Sequence, residues 1–371
     1  MNQIIQLFFP FISSLIIASL IIPSWIQLCS KWNLFDRPDT RKHHTAIIPS
    51  LGGIGIFIAI MISIFLFGYN SQDTSFHSIA AAMLILFITG FFDDLTDLKA
   101  RVNDLTDLKA RVKLNIQLLA ALIVTYSGLR IQTLNGFAGV HELPILTQYG
   151  ISIFIILFLV NAYNFIDGLD GLAATIGLII FSIFTVLFHI HGEQAYAVLC
   201  VSVIGALLSF LYFNFNPARV FMGDTGSLVV GFLIAICTIK LFNIWLASPV
   251  VSFGPSLTIA TIFILIFDLT RVVFIRLSNG ISPFKADRSH LHHMICRQQF
   301  GHRGGTFIMA AFNILFIVLV LPLSKLRFIT FLIFCFCLAI LLMNSKVMSY
   351  VALLRNKITG APESKMGVDR G

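Results

Sequence analysis

Charge is scarce in this chain of 371 residues. Asp, Glu, Lys and Arg together make up 11% of it, against roughly 25% in a soluble domain, which excludes a water-soluble globule. Cysteine is sparse too. Cys29, Cys200, Cys237, Cys296, Cys335 and Cys337 lie in or beside apolar stretches, with no CxxC pair and no ligand-like spacing, so neither a disulfide framework nor structural zinc is expected. The first apolar block, 4–28, has no basic leader and no small-residue cleavage site. It reads as a retained span rather than a signal peptide.

What the chain has is apolar length. Hydrophobic residues make up 57% of it, including 37 phenylalanines, in long blocks rather than amphipathic alternation, as expected of helices that face lipid. Blocks fall at 4–28, 51–69, 77–92, 114–127, 149–163, 172–190, 195–213, 228–246, 255–275, 306–322 and 327–343. At ~20 residues per span these predict an all-α integral membrane protein, a polytopic bundle of about 11 transmembrane helices. A single membrane domain over 1–345 and a cytoplasmic C-terminal tail over 346–371 are expected. Lys and Arg concentrate in the loops after odd-numbered spans and in the tail, whereas the opposite loops hold only Arg130, Lys325 and Arg327. The positive-inside rule therefore makes the odd loops and the C-terminus cytoplasmic. The net charge of +8 then needs no nucleic acid, because anionic membrane lipids and phosphorylated substrates are sufficient partners. Carboxylates gather on the same side, with only Asp73, Glu142 and Glu193 in opposite loops and Asp268 inside a span. Since Asp and Glu contribute little to orientation, their clustering points to chemistry in a cleft at the cytoplasmic face.

Five polar clusters lie on that face. FFDD ends the third block with Asp93 and Asp94, a pair that is costly at a membrane edge unless it meets cations or water. NAYNFIDGLDGLAA carries Asn161, Asn164, Asp167 and Asp170 within about three helical turns, an oxygen-only set suited to a hard cation. FMGDTGS, opening with Phe221, offers Asp224 as a ligand, while Thr225 and Ser227 can cap a helix whose N-terminus favours phosphate. SPFKADRSHLHHM supplies Arg288, His290, His292 and His293. Zinc is one reading of that cluster; a pyrophosphate is favoured, for want of a nearby cysteine or fourth ligand. RKHHTAIIPSLGG adds Lys42 and His44, as substrate contacts or as a membrane-surface anchor. Acidic groups for metal and basic groups for phosphate describe metal-assisted phosphoryl transfer.

In this order FFDD, the later KLNIQ, NAYNFIDGLDGLAA, FMGDTGS and ADRSHLHH resemble the polyprenyl-phosphate N-acetylhexosamine-1-phosphate transferases, glycosyltransferase family 4, over about residues 30–305. The likeness is to the bacterial branch that includes undecaprenyl-phosphate GlcNAc-1-phosphate transferase. Phospho-MurNAc-pentapeptide transferase is a close sibling that carries three consecutive histidines where this chain reads HLHH. The resemblance implies transfer of HexNAc-1-phosphate from a UDP-N-acetylhexosamine to undecaprenyl phosphate, with release of UMP and Mg2+ or Mn2+ as cofactor. It also implies a place in the bacterial inner membrane, a homodimer in many members, and the first step of an O-antigen, enterobacterial common antigen or teichoic-acid-type polymer. By motif, Asp224 and Asn164 are implied as metal ligands, and Asp93, with Asp94 beside it, as the group that deprotonates or positions the lipid phosphate. Asp167 and Asp170 are implied on the nucleotide side, and Arg288 with the three histidines on the diphosphate and sugar.

The chain departs from the family pattern in one place. DLTDLKARV occurs at 94–102 and again at 104–112, so that Lys113, Leu114 and Gln117 follow the second copy while the paired aspartates precede the first. Asn103 with Asp104 is not an acid pair, which keeps the expected role at Asp93 and Asp94. A transporter is the rival from another class, but transporters place ionisable groups near the midplane and show repeated halves. Here the carboxylates cluster at one face.

Overall fold

The computed structural model describes residues 3–32, 48–68, 75–103, 110–137, 140–247, 254–282, 290–297, 300–323 and 328–342. The expected C-terminal tail lies outside them. Among the described residues the chain forms α1 (Gln3–Lys31), α2 (Gly53–Phe67), α3 (Ser75–Asn103) and α4 (Ala110–Tyr126), then a hairpin of β1 (Thr133–Phe137) and β2 (Val140–Glu142). There follow α5 (Ile145–Ile166), α6 (Leu172–Ile190), α7 (Gln194–Asn214), α8 (Gly223–Ala247), α9 (Gly254–Thr261), α10 (Phe263–Ser278), α11 (Leu291–Arg297), α12 (Gly301–Leu323) and α13 (Phe328–Leu342). The antiparallel hairpin is a small addition to the all-helical expectation.

Among the described residues each of the eleven apolar blocks is helical, yet seven helices are long and apolar enough to cross a membrane. The number becomes eight if α9 and α10, bent by 66° at Ile262, count as one broken span. The other three blocks form α2, α4 and α13, of 15, 17 and 15 residues. At 1.5 Å per residue these cover about 22–26 Å, short of a ~30 Å hydrocarbon core.

Helix α8 is buried along most of its length and packs against α2, α3, α5 and α6. Its near-uniform apolarity suits a helix surrounded by other helices. Lipid offers no hydrophobic gain for pairing helices, so contacts rely on small residues and hydroxyls. Helices α1, α2 and α7 follow that rule. Ser63 Oγ donates to Pro10 O at 2.8 Å and lies 2.8 Å from Ser202 Oγ, and Ser19 meets Ser209 at 3.0 Å. At Gly205 a Cβ would collide with the Phe11 carbonyl, so α1 and α7 meet backbone to backbone. Large side chains left outside, such as Phe65 and Phe154, form the lipid-facing surface.

Because consecutive long helices alternate in direction, the start of α8 meets the ends of α3, α5 and α7 and the starts of α4 and α6. Contacts such as Asp94 with Thr225, Lys113 with Asp224 and Gly171 with Asn214 join them at one end of the bundle. That end carries FFDD, NAYNFIDGLDGLAA, FMGDTGS and the histidines His290, His292 and His293; most of SPFKADRSHLHHM and of RKHHTAIIPSLGG lies outside the described residues.

Candidate active site

The site is built around the N-terminus of α8. Residues 49–53 run alongside 221–222: Phe221 N–H donates to Pro49 O at 2.8 Å, Gly52 N–H to Phe221 O at 2.9 Å and Gly53 N–H to Met222 O at 3.0 Å. Gly223 then adopts φ +69°, and a Cβ there would strike both Ser50 O and the Asp94 carboxylate. Glycine is required on both counts. On α3, Gly90 lies so close to Asp224 and Thr225 that it too has no room for a side chain.

That close approach lets Asp94 cap α8 from another helix. Its Oδ1 accepts the Asp224 N–H at 2.9 Å, and its Oδ2 accepts the Thr225 N–H at 2.9 Å and the Thr225 hydroxyl at 2.5 Å. A carboxylate here satisfies orphan donors and sits at the positive end of the helix dipole. Asp93 faces a different partner. Its Oδ2 pairs with Lys113 Nζ at the start of α4, and the same ammonium lies 3.1 Å from Asp224 Oδ2. Asp224 Oδ1 accepts from Asn164 Nδ2 at 2.9 Å, and that amide also donates to Ser227 Oγ at 2.8 Å. Asp93, Lys113, Asp224 and Asn164 thus form one connected cluster. Asn161, one turn earlier on α5, donates to Gln117 Oε1 at 2.7 Å.

Asp167 and Asp170, in the turn between α5 and α6, have different surroundings. Burial, then the charges of Asp224 and Asp170, push the Asp167 carboxyl up to about 7. Burial works against the Asp170 carboxylate as well, but His302, Asn216 and the Ala218 N–H outweigh it and hold it below its ordinary value. Asp170 Oδ1 lies 3.1 Å from His302 Nδ1, and its Oδ2 accepts from Asn216 Nδ2 at 2.8 Å and Ala218 N at 3.2 Å. Its carboxylate fastens the α5–α6 turn to the segment before α8 and to α12.

The histidines lie over the same turn. A Cβ on Gly168 would collide with His292 Nε2. The His290 ring stands 5.8 Å from that of His292 at 15° and 5.1 Å from Phe165, and His293 is 4.2 Å from His292. Asp268 reaches His290 Nδ1 at 2.9 Å from α10. Asp93, Asp94, Asn161, Asn164, Asp167, Asp170, Phe221, Asp224, His290, His292 and His293 therefore gather at one end of the bundle. Lys42, His44 and Arg288 lie outside the described residues.

Lys113, Gln117, Asp268 and His302 take part as well. Lys113 and Gln117 had a signal, a cation and an amide four apart at the head of an apolar block. Asp268 had one as well, a carboxylate inside a span. His302 had none. Among the described residues no three His, Cys, Asp or Glu side chains are placed to hold a metal ion. The donors nonetheless suit a hard divalent cation that takes one or two carboxylates and completes its shell with substrate phosphates. Asp93 Oδ1 is buried and has no hydrogen-bond partner among the described residues, and it stands in a cluster with Asp224 and the Asn164 amide. These residues fit such an ion.

A family model described as glycosyl transferase family 4 matches residues 76–242, the stretch from α3 through most of α8. A probable undecaprenyl-phosphate N-acetylglucosaminyl 1-phosphate transferase of Bacillus subtilis (strain 168) is 30% identical over 332 residues, 87% of each chain. The undecaprenyl-phosphate alpha-N-acetylglucosaminyl 1-phosphate transferases of Yersinia pestis and Escherichia coli (strain K12) are 28% and 27% identical, covering 75% of this chain and 73% of theirs.

Proposed function

Because the chain belongs to glycosyl transferase family 4, we propose that it transfers GlcNAc-1-phosphate from UDP-GlcNAc to undecaprenyl phosphate and releases UMP. The observation that carries this reading is the joining of Asp93, Lys113, Asn164 and Asp224 at a helix N-terminus capped by Asp94. Membrane-spanning helices beside that cluster give a polyprenyl chain its place in the bilayer, and polar groups at one end give the nucleotide its place in water. We assign that end to the cytoplasmic side of the bacterial inner membrane, where the Lys and Arg bias puts it. The product is the first lipid-linked intermediate of an envelope glycan.

In this mechanism an oxygen of the lipid phosphate attacks the β-phosphorus of UDP-GlcNAc in line. The new P–O bond forms as the bond from that phosphorus to the bridging oxygen breaks, and the electron pair leaves with UMP. The attacking monoester has a second pKa near ~6 and is largely dianionic at pH 7, so it needs alignment more than deprotonation. Asp93 orients it together with Lys113, whose ammonium lowers the repulsion between two anionic substrates. Asn164 and Asp224 would hold Mg2+, which when bound neutralises charge on the diphosphate. Asp94 keeps Asp224 in register through the backbone of α8. Asp167, His290, His292 and His293 face the nucleotide and sugar side, with Arg288 assigned there by motif.

The test uses membranes carrying the protein, radiolabelled UDP-GlcNAc and undecaprenyl phosphate. Lipid-extractable label that requires the acceptor and Mg2+, and disappears in Asp224→Asn, supports the reading. Label that stays water-soluble under every condition overturns it.

A further inference from the structure

Asp268 is a carboxylate inside an apolar helix, 3% exposed, in the second half of the broken pair α9–α10. Such a group is costly at that depth unless both oxygens find donors. They do, on one short segment. Oδ2 lies 2.9 Å from His290 Nδ1, and Oδ1 accepts the Leu291 backbone N–H at 2.8 Å. Accepting from both, an ionised Asp268 would hold the proton on His290 Nδ1 and leave Nε2 of a neutral ring as the open nitrogen. The ring is held at both ends of its lever: the carboxylate fixes Nδ1, and the bond to Leu291 fixes the backbone that follows. On its face it meets Phe165 at 5.1 Å and His292 at 5.8 Å, and His292 in turn rests on Gly168 beside Asp167.

We propose that Asp268 is a positioning residue for the sugar-nucleotide side of the site, acting through His290: it sets the ring's tautomer and seats the histidine row against the Asp167–Asp170 turn. This rests on the transferase reading above. Orienting carboxylates of this kind matter because a ring with its proton on the wrong nitrogen presents a donor where an acceptor belongs, while the overall geometry is unchanged. Asp268 touches no reacting atom. Its removal should therefore alter donor handling and spare the acceptor.

The test measures kcat and KM for both substrates in the full-length enzyme and in Asp268→Asn, Asp268→Glu, His290→Gln and the double variant Asp268→Asn/His290→Gln. Losing the outer carboxylate partner costs metal-binding histidines about 10- to 100-fold, and the same orienting role sets the scale here. A loss of that size in kcat/KM for UDP-GlcNAc is expected for Asp268→Asn, with KM for undecaprenyl phosphate within about twofold of wild type. Asp268→Glu should recover part of it, and the double variant should be no worse than His290→Gln, since both changes disable one unit. Wild-type kinetics in Asp268→Asn, or losses that multiply in the double variant, overturn the positioning role while leaving the transferase reading intact. A wild-type enzyme that turns over neither substrate overturns that reading and the proposal with it.

Discussion

Replacing Asp94 with alanine separates a group that does chemistry from one that holds the site in shape. The side chain makes three hydrogen bonds, at 2.9, 2.9 and 2.5 Å, to the Asp224 N–H, the Thr225 N–H and the Thr225 hydroxyl. In the alanine variant two backbone donors in the first turn of α8 lose their partner in a place where water has little access. An unsatisfied buried donor costs about 1–3 kcal/mol, so the pair should cost about 2–6 kcal/mol, less whatever water recovers. Asp94→Asn keeps one acceptor oxygen but turns an NH2 group toward a backbone donor, so its cost should be smaller. Thermal unfolding of the purified protein in detergent should give the order wild type, Asp94→Asn, Asp94→Ala from most to least stable. GlcNAc-phosphate transfer on the same samples should fall in the same order, because Asp224 moves with its helix end. Asp93→Asn is the contrasting variant, expected to lose turnover with a smaller change in unfolding temperature. Asp94→Ala that unfolds like wild type yet makes no product would refute the capping role and put Asp94 among the reacting groups.

Deleting 94–103 leaves Asp93 followed by Asp104 and the same octapeptide before Lys113. Since Asp93 and Lys113 lie outside the repeat and Asp104 supplies a carboxylate where Asp94 is removed, the shortened protein should retain transfer activity within a few-fold in the membrane assay; a dead but folded variant would show that the insertion has become part of the site. The Asp167 carboxyl, pushed up from 3.8 to about 7, keeps a proton that the unfolded chain releases. Its contribution to stability is full below pH ~4 and is lost as pH rises through about 7. Unfolding temperatures of wild type and Asp167→Asn should therefore diverge in favour of the variant across that window, and parallel curves would contradict the shift. Gly205→Leu should force α1 from α7 and lower the unfolding temperature, whereas leucine at a lipid-facing position such as Phe154 should not.

Helix placement was legible because a bilayer demands length, and every apolar block is helical among the described residues. The number of full spans was not: block boundaries do not reveal that α2, α4 and α13 have 15 to 17 residues. The break at Ile262 also left no mark, since neither Thr261 nor Phe263 is the proline or glycine that usually announces one. In the site, residue types at motif spacing pointed to Asp93, Asn164 and Asp224, and these meet. Division of labour was harder to see. Adjacent Asp93 and Asp94 are chemically identical on paper, but the helix turns one toward Lys113 and the other toward the backbone of α8. Asp170 resembles Asp167 in sequence, yet Asn216 and His302, contributed by distant segments, claim its oxygens. Asp268 stood out as a charge within a span, but its partner lies 22 residues on, past the end of α10, where sequence pattern gives no pairing.

The β-phosphorus carries the decisive label. With UDP-GlcNAc bearing 32P at that position, undecaprenyl phosphate and Mg2+, the purified protein should move the 32P into the organic phase in step with release of unlabelled UMP, and Asp224→Asn should not. If sugar reaches the lipid while the 32P stays behind in UDP, the bond broken is the glycosidic one, and the phosphoryl-transfer site described here is not the seat of the reaction.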